Sequence, residues 1–169
     1  MTDVDPLSAD WLPAQAEVMH LLRDWVVGST ALNQHLAAWM RLSASDANAL
    51  GQIIWAAEAG TPLSPAQLSR QIGMTTGATT ILLNRLEAAG HVLRSRESAD
   101  RRRVTLRPAP ASREQARRFL SVAGVEIADV LRTTSPAELR TVVVFLARIT
   151  EAAAEADRRL VAGSGSRTP

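Results

Sequence analysis

No cysteine, lysine or tyrosine occurs in the 169 residues of this chain. Without cysteine there is no disulfide framework, no thiolate metal site and no thiol redox switch, so a sensor that works through a cysteine is excluded. The absence of lysine makes every one of the nineteen strongly basic residues an arginine; this fits a compositional bias of the genome, and no local feature calls for it. Apolar runs are short as well, none approaching the ~20 residues that span a bilayer. The first residues, Met-Thr-Asp-Val-Asp-Pro-Leu, are acidic and lack the basic-then-apolar layout of a secretion signal. A soluble, cytoplasmic protein without membrane contact is expected. The three histidines, His20, His35 and His91, show no i, i+4 pair, and ordinary surface or interface roles fit them better than a metal site. No serine, histidine and acid cluster locally and no glycine-rich phosphate loop occurs, so neither an enzyme active site nor a cofactor site is expected.

The charge that is present is unevenly placed. Ten arginines fall between Arg85 and Arg118 against four acids, Glu87, Glu97, Asp100 and Glu114, so that window carries +6 within a chain whose total is +2. A basic face on an acidic body is the pattern of a protein that meets a polyanion.

Helix punctuation is dense. Pro13 suits a first helical turn, and Val18, Leu21, Leu22, Trp25, Val26, Leu32, Leu36, Trp39 and Met40 recur at helical spacing, with a bend expected at Gly28-Ser29. Ser43-Ala-Ser-Asp46 can cap a second helix that presents Leu50, Ile53, Ile54 and Ala57 and stops at Gly60. Ser64-Pro-Ala-Gln67 has capping-box spacing for a short third helix closed by Gly73. A fourth starts at Thr75-Thr76, turns Thr79, Leu82, Leu83 and Leu86 inward and ends at Gly90. Two short helices joined through a glycine fit a helix-turn-helix, whose second member enters the major groove. Residues 92–106 then alternate like a hairpin, with Val92, Val104 and Leu106 expected on one face, arginines and threonine on the other, and the tip at Ser98-Ala-Asp100-Arg101. Ser112-Arg-Glu-Gln115 is expected to open a fifth helix running to about Arg132, and Ser135-Pro-Ala-Glu138 a last one showing Leu139, Val142, Val143, Leu146, Ile149, Ala153 and Leu160.

Leu68-Ser-Arg-Gln-Ile-Gly73, Thr75-Thr-Gly-Ala-Thr-Thr80, Asn84-Arg-Leu-Glu-Ala-Ala-Gly90 and Asp100-Arg-Arg102 together resemble the multiple-antibiotic-resistance-regulator (MarR) family of winged helix-turn-helix transcription factors, over roughly residues 45–106. The resemblance implies a mainly α fold with a small β-wing. It divides the chain into an N-terminal dimerisation helix (1–42), a winged helix-turn-helix DNA-binding domain (43–110), C-terminal dimerisation helices (111–162) and a flexible tail (163–169). It also implies an obligate homodimer on double-stranded DNA of pseudo-palindromic sequence. Ser64, Thr75 and Thr76, at helix N-termini, would touch phosphates. Gly77, Ala78, Thr80, Ile81 and Asn84 would face base edges. Arg94, Arg96, Arg101, Arg102 and Arg103 would serve the wing, where by family analogy Asp100 pairs with Arg102 and Arg101 enters the minor groove. Two departures stand out: Ile81 sits where the family often has a polar or basic residue, and Pro108-Ala-Pro110 replaces its common leucine-threonine element.

Family members commonly release DNA when a small aromatic or anionic effector wedges between the dimerisation helices and the reading head. Trp25, Trp39 and Trp55 are candidates to line such a cleft; core or dimer packing is the simpler account of them and the preferred one, because tryptophans usually anchor cores and interfaces. The function expected is that of a ligand-responsive repressor, the alternative being a winged-helix protein-interaction module without specific DNA binding.

Overall fold

A computed structural model describes residues 11–95 and 104–164. Among them the order is α1 (Pro13–Met40), α2 (Ala44–Glu58), α3 (Pro65–Gln71), α4 (Thr76–Ala88), β1 (Val92–Ser95), β2 (Thr105–Pro108), α5 (Pro110–Ala123), α6 (Val125–Thr133) and α7 (Pro136–Ser164). The chain divides into two compact units, Met1–Ala123 and Gly124–Pro169.

In the first unit the caps lie where the local sequence places them. The Ser43 hydroxyl accepts from the Asp46 amide at 3.2 Å. Ser64 and Gln67 form a reciprocal capping box, and the Thr75 hydroxyl accepts from the Ala78 amide. Each such cap is worth about 1 kcal/mol. The apolar side chains between the caps build one core: Leu50 and Ile53 of α2, Leu68 of α3, Leu82, Leu83 and Leu86 of α4, Val92 of β1 and Leu106 of β2 are all essentially inaccessible. Burying a side chain of this size contributes roughly 1.5–3 kcal/mol.

The two strands pair antiparallel, with Val92 opposite Pro108, Leu93 opposite Arg107, Arg94 opposite Leu106 and Ser95 opposite Thr105. On its other side β2 is tied down by the Leu106 amide, which donates to the Leu63 carbonyl at 2.8 Å. The expected separation of arginines from the inward face fails at Arg94. It lies two residues from buried Val92 and opposite buried Leu106, so the period of two puts it on their side of the ribbon, where it turns towards α4.

α1 runs unbroken through Gly28 and Ser29, whose hydroxyl donates to the Val26 carbonyl at 3.0 Å. Two further expectations are corrected. The fifth helix opens at Pro110, not Ser112, because proline at a helix start forfeits no hydrogen bond and brings a helical φ; the Ala109 carbonyl accepts from the Arg113 amide at 3.0 Å. Ser112 is therefore no cap but a buried residue hydrogen-bonded to His91 Nδ1 at 2.8 Å. The helix also stops short of Arg132: Gly124, at φ −108° and ψ 3°, separates α5 from α6.

In the second unit α7 opens on Ser135, whose hydroxyl accepts from the Glu138 amide and donates to the Glu138 carboxylate. Among the described residues of α6 and α7 none is buried. Val130, Leu131, Val142, Val143, Val144 and Leu146 all stand in solvent.

Gly73 has φ +65°, and a β-carbon built there meets nothing within 4 Å. The cost of a side chain is thus purely conformational: Gly73→Ala is expected to lower the unfolding free energy by about 1–2 kcal/mol, read from urea denaturation, and an unchanged midpoint would disprove the left-handed turn.

Candidate nucleic-acid interface

α4 has two unlike faces. Thr79, Leu82, Leu83 and Leu86 are buried, whereas Gly77, Thr80, Ile81 and Asn84 are exposed and Ala78 is half-exposed. Amphipathicity thus turns the short side chains outward, and a glycine, an alanine and a threonine let the helix backbone approach a partner closely. Ile81 is 65% exposed in the middle of this face. Thr75 and Thr76 stand exposed at the α4 N-terminus, and Ser64 is half-buried at that of α3. Free N–H groups and the positive dipole end make helix N-termini hospitable to anions.

Arg94 does not stand free on the strand. Its Nη2 donates to Asn84 Oδ1 at 2.6 Å, and its Nε lies 3.2 Å from Glu87 Oε2. It therefore straps β1 to the exposed face of α4. Arg96, Asp100, Arg101, Arg102 and Arg103 lie outside the described residues, and with them the wing tip.

A residue pair absent from the sequence reading holds α4 in place. Arg85 grips Asp46 with two parallel bonds, Nε to Oδ2 at 2.9 Å and Nη2 to Oδ1 at 2.6 Å. The Asp46 side chain is only 6% exposed. The hydrogen-bonded guanidinium holds its carboxyl below the ordinary aspartate range, although burial alone would raise it. Asp46 also sits in the first turn of α2 and Arg85 in the last turn of α4, each at the helix end that favours its charge. The partners are 39 residues apart, so no local spacing could have revealed them.

The basic window is consequently less of a face than its count suggests. Arg85 is spent on Asp46, and Arg113 pairs with Glu58, Nη2 to Oε2 at 2.8 Å; both acids lie outside the window. Arg117 and Arg118 share Glu114, whose carboxyl they hold at about 2.

The three candidate tryptophans are not gathered into one cleft. Trp39 makes an edge-on contact with Phe119 of α5, centroids 6.0 Å apart. Trp55, 69% exposed, borders a groove of about 680 Å3 against β2 and α5, where Pro108, Arg113, Arg117 and Leu120 form the other wall. It also borders a second groove of about 560 Å3 against α1. Trp25 lines neither and stands exposed on α1. Among the described residues no three acids or histidines converge as a metal site, and no helix is long and apolar enough to cross a membrane.

Three helices ending in an antiparallel hairpin, with the last helix bare on one side, define a winged helix-turn-helix. Residues 42–103 match the model of the MarR family. An uncharacterized HTH-type transcriptional regulator, YcgE of Bacillus subtilis (strain 168), is 32% identical over 103 residues, which are 61% of this chain and 66% of that protein, just short of two thirds of its length. Among solved structures, the transcriptional regulator BldR from Sulfolobus solfataricus aligns with a TM-score of 0.53 at 24% identity, covering 86% of this chain and 99% of BldR. A MarR family protein from Bacillus stearothermophilus aligns at 0.57 and 22%, covering 82% and 94%. These structures share the fold. Over its winged helix-turn-helix region the chain is thus similar to the MarR family of transcriptional regulators.

Asp46→Asn is expected to destabilise the protein by about 1–3 kcal/mol at neutral pH. Because the folded state depresses the Asp46 pKa, its contribution is full above the ordinary aspartate range and fades as pH falls below about 4. The stability gap between parent and variant should therefore close in acid; a gap constant from pH 7 to pH 3 would reject the ion pair as its source.

Proposed function

We propose that this protein is a sequence-specific, ligand-responsive repressor that binds a pseudo-palindromic operator as a homodimer in the cytoplasm. The observation that carries the reading is α4 itself: a helix locked by its buried leucines, showing a short-chained face beside an arginine-bearing wing. Thr75 and Thr76 with Ser64 meet phosphates, and Gly77, Ala78, Thr80, Ile81 and Asn84 approach base edges in the major groove. Ile81 suits the methyl group of thymine better than a polar edge. In the wing Asp100 steadies Arg102 while Arg101 enters the minor groove, flanked by Arg96 and Arg103.

The second copy covers apolar helices that water would otherwise leave marginal. Leu21, Trp25 and Val26 of α1 are more than half exposed, as are Val143 and Val144 of α7. A stripe of this kind along a 29-residue helix fits packing against its symmetry mate. The effector is a small aromatic or anionic molecule in the groove beside Trp55, whose lining joins an indole and apolar walls to the Arg113–Glu58 and Arg117–Glu114 ion pairs.

Exposed Ile81 also suits a second reading, in which the same face docks on a protein. Fluorescence anisotropy separates the two. Tight binding to the duplex flanking the protein's own gene, resistant to a scrambled competitor and weakening linearly in log salt, is the expected result; no binding even at low salt favours the docking module. Arg101→Ala is expected to weaken binding on the order of tenfold on every sequence and to reduce the salt slope by about 1, and unchanged affinity at moderate salt refutes the wing assignment. Val143→Asp is expected to convert a dimer to monomers in light scattering at micromolar concentration, whereas a monomeric parent would refute the dimer.

A further inference from the structure

The contact between Arg94 and Asn84 restricts what Asn84 can read. A guanidinium carries only donors. The carboxamide can therefore meet Arg94 Nη2 only through its oxygen, at 2.6 Å, and the assignment of the two amide ends is forced by chemistry. Arg94 is itself held at a second point, its Nε 3.2 Å from Glu87 Oε2 one helical turn further along α4, so the guanidinium is braced across the pair. One of the two lone pairs of Oδ1 is held by Arg94 in a charge-assisted bond that turns this end of the amide to the wing, and the end of Asn84 with no such tie is Nδ2, a donor. Asn84 is exposed on the same face as Thr80 and Ile81.

An asparagine that reads adenine uses both ends, accepting from N6 and donating to N7. Here the accepting end is drawn towards the wing by Arg94. Adenine would also set its N6 donor against the second N–H of Nδ2. Guanine instead offers two adjacent acceptors, N7 and O6, and thymine offers O4. Resting on the DNA-binding reading above, we propose that Arg94 is a positioning residue rather than a DNA contact, and that by drawing Oδ1 to the wing it turns the donor end of Asn84 to an acceptor edge, favouring guanine or thymine over adenine at one operator position in each half-site.

Selection of binding sites from a randomised duplex pool tests this with the full-length parent, Asn84→Ala and Arg94→Met, the last keeping a long apolar stem while removing every donor. The position whose preference disappears in Asn84→Ala is the one Asn84 reads. In the parent that position is expected to hold guanine or thymine, favoured over adenine on the order of tenfold. Arg94→Met frees Oδ1 and is expected to move the preference there to adenine while leaving the other positions as they were, an outcome that a merely structural role would not produce. Base analogues test the point without relying on the Arg94 variant's folding: with 7-deazaguanine at that position affinity falls if guanine is read through N7, whereas on a thymine site replacement of O4 by sulfur lowers it. Adenine at that position in the parent overturns the inference. So does a uniform loss of affinity in Asn84→Ala, which would place Asn84 on phosphate, or an unchanged preference in well-folded Arg94→Met. A parent that enriches no sequence at all overturns the operator reading and this inference together, and is plainly distinguishable from the other three.

Discussion

The placement of α4 depends on a burial constraint that leaves it one rotational setting. Leu82, Leu83 and Leu86 are each about 1% exposed, and rotating the helix to free any of them would forfeit several kcal/mol of apolar burial. The Asp46–Arg85 pair adds direction to that non-directional force. Burial says which side of α4 faces in; a bidentate bond from a nearly inaccessible carboxylate says how far along and at what angle. With the helix so held, Gly77, Thr80 and Ile81 are presented outward, and beside them Asn84, bonded to Arg94.

The wing is hung on the same arrangement. Val92 and Leu106 enter the core, the Leu106 amide reaches the Leu63 carbonyl, and Arg94 crosses to Asn84 and Glu87. The ribbon is thus joined to the helix by apolar burial at its base and by a charged strap further out. An isolated two-stranded hairpin is marginal in water, and these attachments supply what the pairing alone cannot. His91 closes the opposite side, its ring bonded to Ser112 at the start of α5 and its carbonyl accepting from the Ala109 amide.

Charge in this chain is allocated rather than pooled. Carboxylates outside the basic window, Asp46 and Glu58, capture Arg85 and Arg113, and Glu114 within it holds two arginines on α5. Exposed pairs of the latter kind contribute little to stability, yet they change which surfaces stay positive. A count along the sequence cannot register that, because ion pairing depends on distance in space and not on separation along the chain.

Local order was written locally. The caps at Ser43, Ser64, Thr75 and Ser135, the stop at Gly73, the inward leucines of α4 and the inward Val92 and Leu106 all follow from side chains acting on their own neighbours, through a hydroxyl within reach of an amide or a periodicity of 3.6 or 2. The failures were also local in origin: two rival helix starts, Pro110 and Ser112, compete within three residues, and the choice fell to the one whose rival was needed elsewhere, since Ser112 is drawn inward by His91, 21 residues away. Tertiary structure alone decided the partners of the charged and amide groups, Asp46 with Arg85, Arg113 with Glu58, Arg94 with Asn84 and Glu87, and set Trp55 beside a groove while leaving Trp25 in the open. Backbone capping and apolar periodicity are short-range and repeat along the chain; a guanidinium on a flexible stem donates to whichever carboxylate the packed elements bring within reach, and only the assembled core determines which one that is.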